Sequence, residues 1–153
     1  MPEITADEAR RRFTAARVAR LATVDTTGRP HLVPVVFARQ GADGLVTAVD
    51  RKPKTTTRLK RLRNIAAHPS VCLLVDAYDE DWNQLWWVRA DGDARVVAAD
   101  PPGAADPTAS EEQSAALALL RAKYPQYRDH PPTGPVVAVT VLRWTGWAAR
   151  DDR

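Results

Sequence analysis

Cysteine is nearly absent from this chain of 153 residues: Cys72 stands alone, which excludes an intrachain disulfide and any multi-cysteine zinc site. It lies in the apolar run 71–75, a setting that predicts a buried, inert thiol. Histidine is also scarce. His31, His68 and His130 are far apart and lack metal-ligand spacing, so no metal site is expected. No apolar run approaches the ~18 residues of a membrane span. Residues 1–13 are charged and carry no apolar signal region, so a cytoplasmic protein without membrane contact is expected. No Ser-His-Asp or Cys-His spacing stands out, so no catalytic side chain is assigned. The Lys-Thr pair at Lys54-Thr55 is preceded by no Gly-x-x-x-x-Gly, which excludes a P-loop ATPase.

Lysine is rare too, four against eighteen arginines, and three of the four fall within nine residues: Lys52, Lys54 and Lys60. The run 51–63 holds seven of the 22 basic residues and no acid, leaving 15 basic against 19 acidic side chains in the other 140 residues. The formal charge of +3 is therefore local. A focused patch points to one anionic partner of limited size. It reads in three ways: a solvated helix face, a nucleic-acid contact, or a grip on a phosphate-bearing small molecule. The net-acidic remainder argues against a long polyanion, so no nucleic acid is expected. Lysines beside the hydroxyls of Thr55, Thr56 and Thr57 suit a terminal phosphate.

Along the chain, Thr5-Ala6-Asp7-Glu8 is a capping box opening a helix to about 16. Strands are expected over 18–24, 31–39 and 45–49, joined by hairpin-length turns, with Gly28 relieving a positive φ in the first. That spacing predicts an antiparallel meander. A helix capped by Thr55 or Thr56 and reaching about 67 carries Leu59, Leu62, Ile65 and Ala66 on one stripe and ends at His68-Pro69. Further strands are expected over 71–76, 85–91, 94–98 and 135–144, and a second long helix over 110–124 with Ala115, Leu117, Ala118 and Leu120 for packing. The Ala-, Pro- and Asp-rich stretch 98–110 reads as a flexible loop. Asp76, Asp79, Glu80 and Asp81 read as a solvated loop. The sum is one domain over 1–153, a β-barrel-like α+β fold of six or seven strands and two or three helices. Adjacent Trp86 and Trp87 point to opposite strand faces. One enters the core, and the other covers a subunit, solvent or a flat cofactor.

Three stretches in order carry a family likeness: Gly28-Arg29-Pro30-His31-Leu32-Val33-Pro34-Val35-Val36-Phe37, then Thr47-Ala48-Val49-Asp50-Arg51-Lys52-Pro53-Lys54 with Asn64-Ile65-Ala66-Ala67-His68-Pro69, then Trp87-Val88-Arg89-Ala90-Asp91-Gly92. This order resembles the pyridoxamine-phosphate-oxidase-like split β-barrel family, and within it the branch that binds the deazaflavin coenzyme F420 in place of FMN. The endings Leu119-Leu120-Arg121-Ala122-Lys123-Tyr124-Pro125-Gln126-Tyr127 and Arg143-Trp144-Thr145-Gly146-Trp147 resemble that branch as well. The resemblance implies an F420-dependent oxidoreductase, or an FMN-binding relative, acting on a small unsaturated or heterocyclic substrate. It implies a homodimer with two cofactor sites at the subunit interface. It also implies a flavin ring beside Val33, Val35 and Val36, and a phosphate held by Thr47, Ala48, Lys52, Lys54, Thr55 and Arg58. Trp87 and Trp144 would approach the ring. The oxidase's Ser-Arg-Lys signature reads Lys52-Pro53-Lys54 here. Its substrate-phosphate arginine and histidine find no match after Trp147, so the implied substrate is not pyridoxamine phosphate.

Overall fold

Thr5 starts the first helix as the capping box predicts, its hydroxyl accepting the Glu8 N–H at 3.1 Å. Glu8 does not return the bond; its carboxylate turns to Arg11 and Arg12 instead. The computed structural model describes residues 3–49, 56–98 and 107–150, the first four residues of the second and third stretches by backbone alone. In chain order come α1 (Ala6–Ala15), β1 (Ala19–Val24), β2 (Pro30–Val35), β3 (Ala38–Gln40), β4 (Gly44–Ala48), α2 (Thr56–Ala67) and β5 (Ser70–Ala77). A single 3-10 turn (Trp82–Gln84), β6 (Trp86–Val97), α3 (Pro107–Lys123), α4 (Gln126–Asp129) and β7 (Val136–Ala148) follow.

The seven strands form one sheet in the order β2-β1-β5-β6-β7-β4-β3, each neighbouring pair antiparallel. The expected meander is corrected here. β1 pairs with β2 and β3 with β4, but the two hairpins lie at opposite ends of the sheet. The expected strand 31–39 is accordingly two strands. Between Val35 and Ala38 the chain leaves one sheet edge and joins the other, so two residues span the whole width. They can do so only because the sheet curls until its edges meet. The result is a split β-barrel in an α+β fold.

Inward alternation fills the barrel: Leu21 on β1, Val35 on β2, Leu45 on β4, Leu73 on β5, Val88 on β6 and Val137 on β7 share one buried cluster. Phe13 of α1 enters it, with ring centroids 4.9 Å from Phe37 and 5.4 Å from Trp144, both edge-on. Full burial of such a side chain contributes roughly 1.5–3 kcal/mol. α2 closes the barrel with Ile65 and the partly buried Leu62, while Ala66 of the expected stripe is exposed. Buried Asn64 donates to the Thr23 hydroxyl at 3.1 Å and fixes α2 against β1.

A second buried cluster lies outside the barrel, where α3 covers β3, β4 and the start of β7. Its stripe is Ala116, Leu120 and Tyr124, spaced by four, rather than the expected Ala115 and Ala118, which are exposed. The expected loop 98–110 is shortened, since α3 already begins at Pro107; 99–106 lie outside the described residues.

The expected strands 85–91 and 94–98 are one strand, β6, whose register slips at a bulge between Asp91 and Gly92. Gly92 is required there: a Cβ would stand 2.2 Å from the Thr140 carbonyl oxygen. Gly28 takes the predicted positive φ, 85°, in a turn organised by the Asp25 carboxylate, which accepts from the N–H groups of Thr27 and Arg29 at 2.9 Å. Cys72 is half-buried rather than buried, because it points to the outer face of β5. Burial and the nearby Asp91 carboxylate push its thiol up.

Candidate functional site: the split between the sheet edges

The two edges of the curled sheet do not hydrogen-bond to each other, and the chain is exposed to ligands where they diverge. β4 outruns β3. Val49 donates to the Pro135 carbonyl at 3.2 Å and Asp43 accepts from Val141 at 2.7 Å, so the odd-numbered residues of this stretch bond toward β7. Gly44, Val46 and Ala48 therefore aim their backbone groups the other way. Gly44 and Val46 meet Gln40 and Ala38, but Ala48 has no strand residue opposite it. Its N–H and C=O face the split.

A cavity of about 260 Å³ sits there. Pro34, Val35 and Val36 form one wall with Val18, and Thr47 and Ala48 form the facing wall. Arg61 enters from α2 and Tyr127 from α4. The buried Thr47 hydroxyl donates to the Val36 carbonyl at 2.7 Å and ties the two walls together. Four of the expected cofactor neighbours, Val35, Val36, Thr47 and Ala48, thus share one cavity. Val33 points into the barrel against the core.

Of the other expected residues, the two tryptophans lie elsewhere. Trp87 is on the outer sheet face, paired across strands with Asp76 and Trp147 and with the Arg89 guanidinium 5.9 Å from its ring. Trp144 is inside, under α1, where its indole N–H donates to Asp43 at 2.8 Å. That bond, then Arg10, holds the Asp43 carboxyl below the usual range. Lys52, Lys54 and Thr55 lie outside the described residues, and Arg58 is described by backbone alone, in the first turn of α2.

Two cavity residues escaped the sequence reading. Arg61 passed as part of a solvated helix face, yet it is half-buried. The signal was its place beside Leu62 and four residues before Ile65, at the margin of the apolar stripe. Tyr127 follows Tyr124 by three residues, and their rings meet edge-on at 6.0 Å.

Behind the cavity, the Tyr124 hydroxyl accepts from the Phe37 N–H at 3.2 Å and lies within donating distance of two carbonyls, Phe37 at 2.9 Å and Arg17 at 3.0 Å. It supplies the partner that a strand would have given the Val36-Phe37 link. A second hollow of about 390 Å³ lies between α1 and β3, among Asp7, Arg10, Arg11, Thr14, Ala15 and Arg39. Arg10 is bridged there by Asp7 and Asp43, and Arg11 by Glu8. Among the described residues no group of three His, Cys, Asp or Glu side chains is arranged to hold a metal.

A family model described as pyridoxamine 5′-phosphate oxidase matches residues 5–148. Among solved structures, an FAD-binding protein from Mesorhizobium loti is 20% identical, with 95% of each chain covered and a TM-score of 0.69. A conserved hypothetical protein from Mycobacterium tuberculosis is 18% identical over 96% of this chain and 86% of its own, with a TM-score of 0.71. A heme-binding protein from Mycobacterium smegmatis is 22% identical over 97% of this chain but 55% of its own, with a TM-score of 0.67. At such identities the likeness is one of fold. No curated protein matches.

Proposed function

This chain belongs to the pyridoxamine 5′-phosphate oxidase family, and on that premise we propose that it is an oxidoreductase working with a flavin-type cofactor, F420 first and FMN as the alternative. The observation that carries the reading is the cavity in the split, where an apolar link, a strand residue with no strand opposite and a guanidinium converge. When bound, such a cofactor supplies hydride transfer at its flat ring. Val35 and Val36 offer that ring an apolar wall, and the Ala48 backbone offers a donor and an acceptor at its edge. Arg61 meets phosphate or carboxylate charge at the α2 side, in concert with Lys52, Lys54, Thr55 and Arg58. No carboxylate, thiol or imidazole is among the described residues that line the cavity. The chain's share is accordingly orientation and exclusion of water, with a small unsaturated or heterocyclic molecule as substrate.

A homodimer belongs to the same proposal. The cavity falls just short of the roughly 300–1,000 Å³ of small-molecule sites, as expected where a second subunit completes the enclosure. The outer face beside it exposes apolar side chains: Leu32 is 65% exposed, and Val18 and Leu74 are 38% exposed. Trp87 lies on this face and would reach a cofactor on the partner. We further propose that the chain acts as one domain in the cytoplasm. Glu3 bridges Trp147, joining the two ends of the described chain, and no described helix is long and apolar enough to cross a membrane.

Fluorescence titration with F420, FMN and FAD tests the reading. Saturable binding of F420, tighter than FMN, supports it; FMN or FAD alone makes the protein a conventional flavin binder, and binding of none sinks it. Arg61→Ala is expected to weaken the bound cofactor about 10- to 150-fold, the equivalent of one charge-assisted hydrogen bond of about 1.5–3 kcal/mol.

A further inference from the structure

The last turn of α3 carries an amine that the proposed chemistry does not use. The Lys123 Nζ is out of contact with solvent and has no hydrogen-bond partner among the described residues. It lies 3.8 Å from the centroid of the Phe37 ring and 5.3 Å from that of Tyr124. The Arg17 guanidinium, 4.8 Å from the centroid of the Tyr124 ring, donates to the Lys123 carbonyl at 3.0 Å. Arg17 immediately precedes Val18, and Phe37 immediately follows Val36, so this cluster sits one residue behind both sides of the cavity wall.

We propose that Lys123 and Tyr124 form a proton-dependent clasp that positions the Val36-Phe37 link, and with it the cavity wall, tightest when the lysine amine is neutral. Tyr124 holds the link's backbone. Lys123 packs its amine on the link's ring, where a neutral amine needs no acceptor and an ammonium is left with only the ring faces and a neighbouring cation. Burial first, then the repulsion from Arg17, brings Lys123 down to about 8. The groups that surround it are Arg17 from the α1–β1 link and the Tyr124 phenol from its own helix, whose ionisation burial pushes up. Arg39 on β3 and Arg128 on α4 are the further cations on the neighbouring elements. The sign follows from linkage: an opened clasp returns the lysine to water and its ordinary value, so the open state binds the proton more tightly. Opening is therefore favoured below pH 8 and suppressed as pH rises. The ammonium–ring attraction opposes this trend.

The inference rests on the proposed function only in taking the cavity as the cofactor site, and its test needs no cofactor. Hydrogen exchange of ligand-free protein, corrected for the intrinsic rate, is followed in peptides covering 17–19 and 35–38 between pH 6.5 and 9. Wild type is expected to lose about tenfold in the opening constant of these segments across that range, less than complete burial would give because the lysine stem is half exposed. Lys123→Met is expected to hold a low, pH-independent opening constant. Lys123→Arg, charged throughout, is expected to stay open and flat. Tyr124→Phe should raise opening at every pH while keeping the slope. A wild-type slope that persists unchanged in Lys123→Met, a flat wild type, or changes spread evenly over the whole chain would each overturn the clasp.

Discussion

At the scale of the residue, three carboxylates are tuned by their neighbours and share a direction. Arg11 and then Arg12 draw Glu8 down to about 2. The Thr27 hydroxyl and the Arg29 N–H bring Asp25 to about 2. The Trp144 indole and Arg10 lower Asp43. Each group has a folded value below its unfolded one, so each stabilises the fold at neutral pH and loses that contribution as pH falls toward 2. Melting temperature is expected to be level between pH 6 and 5 and to fall steadily between about pH 4.5 and 2. Asp43→Asn should flatten part of that fall and shift tryptophan fluorescence, because Trp144 loses a charged acceptor. An unchanged acid profile in this variant would remove Asp43 from the account.

At the scale of the element, the β6 bulge places its demand on a single position. Gly92→Ala would drive a Cβ into the Thr140 carbonyl, backbone that cannot rotate away. The expected cost is at least about 1–3 kcal/mol, read as a lowered urea midpoint. If Gly92→Ala proves neutral, the register slip is not fixed as described. The bulge also shows what the sequence could and could not reveal. The extents of β1 and β5 were legible as short runs of apolar residues. β6 was read as two strands because Gly92 resembles punctuation; only the nearness of β7, 48 residues later at Thr140, explains it. The break at Val36-Phe37 was illegible for a related reason. An apolar run says that both faces are buried, not that they are buried in two different clusters, yet Phe37 belongs to the barrel and Ala38 to the layer beneath α3. Half the cavity was readable from strand motifs. Arg61 and Tyr127 were not, since helix residues reach it only through the fold.

At the scale of the whole molecule, the proposed dimer would use the outer face of β1, β2 and β5. Leu32 is exposed on β2, two residues before the cavity residue Pro34. Leu32→Glu is expected to leave the monomer folded, since the side chain lies outside both cores, and to disrupt a dimer by placing charge in its apolar seam. Light scattering coupled to size exclusion should show a dimer for wild type and a monomer for the variant, with cofactor affinity falling in step. A variant that stays dimeric would move the interface to another face.

The order of the sheet carries one more consequence. β7 is the last strand in the chain but not at an edge; it lies between β6 and β4. Until it arrives, the strands form two separate pieces, β2-β1-β5-β6 and β4-β3, each with open edges. During synthesis the nascent protein must therefore carry exposed, aggregation-prone strand edges until residues 136–148 emerge to zip both pieces together. Barrel closure depends on this sequence-distant pairing of β7 with β4 and β6, the kind of contact that slows folding.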